Sequence, residues 1–153
     1  DDKGIIRKRD KSNFEVSYRH VDGLKKTNND IREWFIKGTF KYPKNTEEVK
    51  QTKEKIKHLL EKRNQTQPVK YANAGSVFKN PTNDYAARLI EASGLKGKKV
   101  GGAIVSEKHA NFIINNGDAK ASDIEQLIEY VQRDVFEKFS VKLEMEVRIY
   151  GER

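Results

Sequence analysis

The sequence predicts an α+β protein whose second half forms a small α/β sandwich in the order helix, strand, strand, helix, strand. Three observations predict this class. Apolar residues recur at three- and four-residue steps over 124–139, which indicates a long amphipathic helix. Residues 112–114 form a continuous apolar run typical of a buried strand, and apolar and polar residues alternate over 141–150. Helices and strands that follow one another in a short chain favour a layered sandwich.

The first half of the chain predicts strands joined by polar loops. Apolar and polar residues alternate over 14–18, and a second strand is predicted over 34–40, ending before Pro43. A helix is predicted from Thr46, its N-cap, to residue 65, because neither Gly nor Pro interrupts this stretch. The composition then changes from basic and polar to rich in Gly, Ala and Ile, and we place the main domain boundary near residue 65.

The second half begins with a predicted helix over 85–93. Asp84 is its expected N-cap, and Gly94 is expected to end it. The pair Gly101 and Gly102 interrupts the next apolar stretch. Glycines at such a position predict a strand with a bend or a close approach of two backbones.

Turn and cap signals locate the last helix. Asn116 and Gly117 predict a turn after the buried strand. Ser122 and Glu125 have the spacing of a capping box, which predicts that the helix starts at Ser122. The alternating stretch 141–150 then predicts the final strand.

Composition excludes several classes of protein. The chain has 153 residues, enough for one compact domain or for one domain with an appended piece. No apolar run approaches the roughly 18 residues of a membrane helix, so we expect no membrane span. Cysteine is absent, the three histidines are scattered, and no metal-ligand spacing or P-loop occurs, so we expect no metal site. A chain without cysteine or a signal peptide is expected to be cytoplasmic.

The net charge of +8 is unevenly distributed. Residues 1–70 carry 19 basic and 11 acidic side chains, whereas residues 71–153 carry 12 of each. A basic first half fits either a solvated surface or a surface that meets phosphates. The charges are scattered and no aromatic platform or recognition helix accompanies them, so we expect no nucleic-acid partner.

A glycine-containing loop is the first candidate site. It carries Gly75, Ser76, Lys79 and Asn80 immediately before Pro81. Gly75 allows a ligand to approach the backbone, and Lys79 and Asn80 suit phosphate or carboxylate oxygens. The same residues also fit an ordinary turn, and both interpretations stay open from the residues alone.

Glu146 is the second candidate. On the predicted last strand it shares a face with Glu144, and Arg148 continues that face. Such an arrangement fits a solvated face or an ion pair as well as a functional carboxylate.

Four stretches of the chain, taken together, are similar to one enzyme family. They are Y-x-N-A-G-S-V-F-K-N-P, R-L-I-E-x-S-G-L-K-G, V-G-G-A-x-V-S-x-K-H-A-N-F-I-I-N and E-x-E-V-R-I-x-G. In this order, from about 67 to 152, they resemble the UDP-N-acetylenolpyruvoylglucosamine reductase family of peptidoglycan synthesis. No tyrosine-bearing insertion occurs between 96 and 108, which resembles the shorter class of the family.

The resemblance implies a reaction and a set of site residues. In the family, NADPH reduces FAD, and the flavin passes hydride to C3 of UDP-N-acetylglucosamine enolpyruvate. A serine hydroxyl then protonates C2, which gives UDP-N-acetylmuramate. The resemblance gives this role to Ser76 and the polarisation of the substrate carboxylate to Arg19 and Glu146. It implies that the substrate is contacted by Tyr18, Gly75, Lys79, Asn80 and His109.

Two departures qualify these roles. Residues 14–20 resemble the F-x-x-x-Y-R segment of the family, which places Tyr18 and Arg19, but Val21 stands where the family pattern carries a serine. Met145 stands where many members carry proline.

The resemblance also implies a domain division. Residues 1–45 resemble the end of the FAD-binding domain, 46–65 a linking helix and 66–153 the substrate-binding domain. The Gly-rich N-terminal flavin region is missing and the only methionine is Met145, so we expect a fragment that does not retain FAD alone. A separate N-terminal flavin-binding half is the expected partner. The alternative is a non-catalytic module that binds a UDP-sugar or an acidic partner.

Overall fold

The computed structural model describes residues 3–23, 33–44 and 48–151. The chain forms two compact units, residues 1–46 and residues 47–153. The first unit contains a short 3-10 turn, Lys11–Asn13, and an antiparallel hairpin of strands β1 (Glu15–Ser17) and β2 (His20–Asp22). The hairpin confirms extended structure near 14–18, although the paired part is only three residues long on each side.

The predicted strand over 34–40 is wrong. No regular element occurs between 33 and 44, and β1 and β2 pair only with each other in the part of the unit that the structure describes. A strand needs a neighbour for its backbone hydrogen bonds, and aromatic composition alone does not supply one. Phe35 does contact Phe14, with ring centroids 5.1 Å apart, but Trp34 and Phe40 are largely exposed.

The second unit begins with helix α1, Val49–Thr66. Its N-cap is Glu48, so the helix starts two residues later than predicted, and Thr46 lies outside the described residues. The apolar side chains form a narrow, exposed stripe of Val49, Ile56, Leu59 and Leu60. The helix is joined to the rest of the unit near its end, where Lys108 Nζ donates to the carbonyl of Asn64 at 2.7 Å.

An antiparallel sheet of four strands lies at the centre of the second unit, in the order β3-β6-β5-β4. Its strands are β3 (Ala72–Asn73), β4 (Lys99–Val100), β5 (Ala103–Val105) and β6 (Ile113–Asn115). The buried strand predicted over 112–114 is confirmed by β6. The sheet is short because each strand has only two or three paired residues.

Gly101 and Gly102 form the turn between β4 and β5, and are not a bend within one strand. The close approach predicted from this pair is confirmed. A Cβ added to Gly102 would lie 2.4 Å from the backbone nitrogen of Ala119, so only glycine fits. The turn predicted at Gly117 is also present, with φ at 110°.

Helix α2 is Ala86–Ala92 and helix α3 is Ala121–Phe139, and both are capped differently from the prediction. Tyr85, not Asp84, is the N-cap residue of α2, and Gly94 ends the helix as predicted, with φ at 76°. Helix α3 starts before Ser122, which excludes the predicted capping box. Asp123 Oδ2 instead accepts the Lys120 N–H at 3.0 Å.

The core of the second unit lies between α3, the sheet and α2. One face of α3 supplies Leu127, Ile128, Val131 and Val135, all buried, whereas Phe136 remains 54% exposed. The apolar periodicity therefore identified the helix correctly, but only some of the apolar side chains of this helix are buried in the core.

The predicted last strand over 141–150 is wrong. This stretch forms a single antiparallel bridge, between Met145 and Phe78, because its partner is an irregular segment and not a strand. Leu143 is nevertheless fully buried, and Val141 and Val147 pack against the core. The α+β class is confirmed. The segment 141–150, which is held by one bridge and by buried side chains, takes the place of the predicted final strand. None of the described helices is long and apolar enough to cross a membrane.

The burial of α3 gives a test of this core. We expect Leu127→Ala to lower the free energy of unfolding by about 2–5 kcal/mol, because it leaves a cavity at a fully buried position. Phe136→Ala, on the same helix, is the control and should cost about 1 kcal/mol or less. Urea unfolding followed by circular dichroism measures both, and equal losses would contradict this packing.

Candidate functional site

Ser76 lies on an irregular segment between β3 and α2, where it is half-buried. Gly75 precedes it with φ at 83°, a conformation that other residues rarely adopt. The Gly75 N–H donates to Asn73 Oδ1 at 2.9 Å, and Asn73 Nδ2 donates to the carbonyl of Tyr71 at 2.7 Å. The side chain of Asn73 thus shapes the backbone that leads into Ser76.

The residues that follow Ser76 are held by Asn111, which sequence analysis did not identify. Its Oδ1 accepts the Phe78 N–H at 2.9 Å, and its Nδ2 donates to the Phe78 carbonyl at 2.8 Å. Its own carbonyl accepts the Val77 N–H at 2.9 Å. Asn111 is only 4% exposed. A polar residue within the buried apolar run 110–114 was the available signal.

Glu146 is brought next to the Ser76 segment by backbone hydrogen bonds. Its N–H donates to the Val77 carbonyl at 2.8 Å, and the Lys79 N–H donates to the Glu144 carbonyl at 2.8 Å. Glu146 is half-buried. The structure therefore brings together Ser76 and Glu146, the two candidates that the sequence located 70 positions apart.

Lys79 pairs with Glu144, not with Glu146. Its Nζ lies 2.9 Å from Glu144 Oε1, and the Glu144 side chain is 73% exposed. An exposed pair of this kind contributes at most about 1 kcal/mol, so Lys79 can exchange its partner for a ligand anion at small cost. Glu144 thus forms an ion pair with Lys79, whereas the sequence pattern had offered Arg148 as the partner of the acidic face.

Asn80 supplies a capping interaction that the sequence had assigned to Asp84. Its Oδ1 accepts the N–H of Ala86, the first residue of α2, at 3.1 Å. Asp84 instead binds Arg88, with its Oδ1 2.7 Å from the Arg88 Nε. This hydrogen bond, helped by the Tyr85 N–H, lowers the pKa of Asp84 to about 2. The side chain of Asn80 is thereby fixed beside the Ser76 segment, at the start of α2.

His109 lies in the loop between β5 and β6. Its Nδ1 accepts the Asn111 N–H at 3.3 Å, and its ring packs edge-on against Phe112, with centroids 4.8 Å apart. Burial lowers the pKa of His109, and the positive charge of Lys96 lowers it further. With Nδ1 occupied as an acceptor, the neutral ring carries its hydrogen on Nε2.

Tyr18 and Arg19 belong to the first unit, where they form the turn between β1 and β2. Arg19 has φ at 57°, and its guanidinium carbon lies 5.7 Å from the centre of the Tyr18 ring. The guanidinium of Arg19 therefore packs against the ring of Tyr18. Ser76, Glu146, Lys79, Asn80 and His109 all belong to the second unit. No group of three or more His, Asp or Glu side chains within the described ranges is arranged to hold a metal ion.

The second unit is similar in sequence to a known family of proteins. The family model of the UDP-N-acetylenolpyruvoylglucosamine reductase C-terminal domain matches residues 67–150. A UDP-N-acetylenolpyruvoylglucosamine reductase of Coxiella burnetii (strain Dugway 5J108-111) is 48% identical over 149 residues, which are 97% of this chain and 45% of that protein. One from Legionella pneumophila (strain Paris) is 50% identical over 151 residues, 98% of this chain and 47% of that protein.

A solved structure gives the same relationship. The crystal structure of UDP-N-acetylenolpyruvylglucosamine reductase (MurB) from Thermus caldophilus matches with a TM-score of 0.57 and 36% identity. The match covers 67% of this chain and 35% of that one. The chain spans about half the length of the curated relatives that it matches.

The lowered pKa of His109 predicts a pH dependence of stability. Below the ordinary value of 6.5 the unfolded chain binds a proton that the folded ring resists, so the free energy of unfolding should fall as the pH drops from 8 to 5.5. His109→Asn cannot titrate and keeps an acceptor near the position of Nδ1, so it should remove part of this slope. Urea unfolding at several pH values measures it.

The control for this prediction is His58→Asn, at an exposed position of α1. We expect it to keep the pH dependence of the unsubstituted chain. A His109→Asn variant with an unchanged slope would contradict the burial of the neutral ring.

Proposed function

Because this chain belongs to the UDP-N-acetylenolpyruvoylglucosamine reductase family, we propose that it is the substrate-binding part of such an enzyme. The complete enzyme reduces UDP-N-acetylglucosamine enolpyruvate to UDP-N-acetylmuramate with NADPH and FAD, in the cytoplasmic synthesis of peptidoglycan precursors. The observation that carries the proposal is the pairing of the Ser76 segment with Glu146, through the Glu146 N–H and the Val77 carbonyl at 2.8 Å.

The reduction adds one hydride and one proton across the enolpyruvyl double bond. Ser76 donates the proton at C2. Its hydroxyl is well suited to this because the segment is half-buried, which limits water, and because Gly75 leaves the backbone open to a ligand. The backbone around Ser76 is fixed by Asn73 and Asn111, so the donor needs little reorganisation during the reaction.

Glu146 and Arg19 act on the carboxylate of the substrate. Negative charge grows there as the double bond is reduced, and a guanidinium stabilises such charge directly. Glu146 does so when it is protonated or when it holds a proton donor in place. The role of Glu146 is supported by its position beside the Ser76 segment, and that of Arg19 by the family resemblance.

Four residues of the second unit are proposed to bind the nucleotide-sugar: Gly75, Lys79, Asn80 and His109. Lys79 offers a cation that pairs with the exposed Glu144. Asn80 Oδ1 is occupied by Ala86, so it offers amide hydrogens. His109 offers its Nε2–H, because Nδ1 is an acceptor. Tyr18 completes the proposed set from the first unit.

The described residues do not fit FAD by themselves. A dinucleotide is commonly held by a Gly-rich loop at the start of a helix, and the described part of the first unit contains no α-helix. Its large side chains Trp34, Phe35 and Phe40 are more than half exposed, so they enclose no flavin. We therefore propose that an N-terminal half supplies the flavin site and that the chain alone is inactive.

A chimera tests the proposed function. The N-terminal part of the Legionella pneumophila relative, fused to this chain, should bind FAD and oxidise NADPH with the enolpyruvyl substrate, whereas the chain alone should show no visible flavin absorption. In the chimera, Ser76→Ala should retain FAD and its reduction by NADPH. Product formation should fall by about 10²–10⁴, the usual contribution of a positioned acid.

The matched control is Ser122→Ala, which removes an exposed hydroxyl from α3 and should leave turnover unchanged. Product formation by Ser76→Ala at the unsubstituted rate would contradict the proposed role. A flavin-loaded chimera that is inert toward the enolpyruvyl substrate would contradict the proposed reaction.

The alternative function is a UDP-sugar-binding module without redox chemistry. It is favoured by one observation, that Asn111, Glu144 and Glu146, all of the second unit, hydrogen-bond to residues 77–79. Calorimetric titration of the chain with the enolpyruvyl substrate and with short DNA, at two salt concentrations, separates the possibilities. Substrate binding with an inactive chimera supports the module, and DNA binding that weakens steeply with salt would contradict both proposals.

A further inference from the structure

The backbone of Phe78 shows an unusual kind of pairing. The Val77 carbonyl and the Lys79 N–H pair with the backbone of Glu146 and Glu144, as one edge of a strand does. Phe78, between them, directs its N–H and C=O to the other side, where both meet the side-chain amide of Asn111. One side chain thus replaces a neighbouring strand, because an amide presents an acceptor and a donor side by side like a peptide group.

This position requires a side chain that presents an acceptor and a donor side by side, which an amide does at every pH. Phe78 and Asn111 are 2% and 4% exposed, so water does not replace a lost partner. An apolar residue would leave two buried backbone groups unpaired, which destabilises the folded state. An ionised carboxylate would accept from the Phe78 N–H but would face the Phe78 carbonyl with a second acceptor.

Asn111 also joins two parts of the proposed site. Its carbonyl holds the Val77 N–H, one residue from Ser76, and its N–H donates to Nδ1 of His109 at 3.3 Å. Four hydrogen bonds from one buried residue therefore connect the segment that carries Ser76 to the ring of His109.

We propose that Asn111 is a positioning residue that fixes the Ser76 hydroxyl, and with it the distance from the proton donor to the nucleotide-sugar contact at His109. This inference rests on the proposed function for the role of Ser76. Asn111 touches no reacting atom and acts through the backbone of 77–78. Its removal should displace Ser76 while the helices and the sheet remain.

The Asn111→Asp variant of the full chain tests this through pH. When the new carboxyl is protonated it donates to the Phe78 carbonyl and reproduces the amide, and when it is ionised it repels that carbonyl. NMR spectra from pH 4.5 to 8 should show the Ser76 and Phe78 amide resonances near their unsubstituted positions at low pH. At high pH they should be displaced, with changes centred on 75–79 and 146.

Asn115→Asp is the matched control, because the Asn115 oxygen only accepts, from the Gly117 and Ala119 N–H groups at 2.8 and 3.1 Å. An ionised carboxylate preserves these bonds, so the pH dependence of the Ser76 resonance should match that of the unsubstituted chain, in which His109 is the titrating group bonded to Asn111. If Asn111→Asp unfolds at high pH, two results still support the proposal. The variant should refold at low pH, and the Ser76 resonance of Asn111→Ala should be displaced by the same amount at every pH. A Ser76 resonance that is the same in Asn111→Asp and Asn115→Asp at pH 8 would overturn it.

In the chimera, Asn111→Asp should lower kcat by about 10–100-fold at pH 8 with little change in KM, because a displaced donor weakens the chemical step more than binding. The loss relative to the unsubstituted chimera should shrink as the pH falls. An equal loss at every pH would overturn the positioning role. An inactive unsubstituted chimera would refute the proposed reaction, while the Ser76 resonance would still decide whether Asn111 fixes the segment.

Discussion

Phe78 is almost completely buried, so its backbone N–H and C=O must be paired within the protein, and a single side chain pairs both. Asn111 reaches it from the loop between β5 and β6, and residues 144–146 hold the other side of the same segment. Ser76 lies at the end of this segment, so these hydrogen bonds also determine its position. The irregular region that carries the candidate site is therefore anchored as firmly as a strand, although it belongs to no sheet.

The sequence predicted those features that depend on local pattern. Neighbouring residues alone were enough to identify several features correctly. These are the apolar stripe of α3, the apolar run of β6 and the glycines at 94, 102 and 117. The strands over 34–40 and 141–150 were wrong for one reason. Alternation describes two faces of a chain, and it does not reveal whether a partner strand is available.

The same limit applies to the candidate site. The G-S-V-F-K-N-P loop and Glu146 were identified by residue chemistry and by resemblance to a family. Their contact depends on backbone pairing between distant parts of the chain. Asn111 was missed because its partner lies 33 positions away, and the polar residue within the apolar run 110–114 does not reveal which backbone groups it pairs with. Asn80 replaced the predicted cap of α2 by reaching a backbone group six positions away, and at α3 the N-cap lies two residues earlier than predicted, with Asp123 at the N3 position.

The two units differ in how completely they bury their apolar residues. The second encloses a contiguous core, whereas the described aromatic side chains of the first are mostly exposed. Covering one large apolar side chain contributes about 1.5–3 kcal/mol. This difference agrees with a first unit that is completed by further protein, as the proposed N-terminal half requires.

The anchoring of the Ser76 segment is tested most directly by amide hydrogen exchange on the intact chain. The account predicts that the Val77 and Phe78 amides exchange as slowly as that of Val105 in the central sheet, because all three open only when the core unfolds. Exchange of Val77 and Phe78 at the rate of the exposed loop residues Thr82 and Asn83 would contradict it.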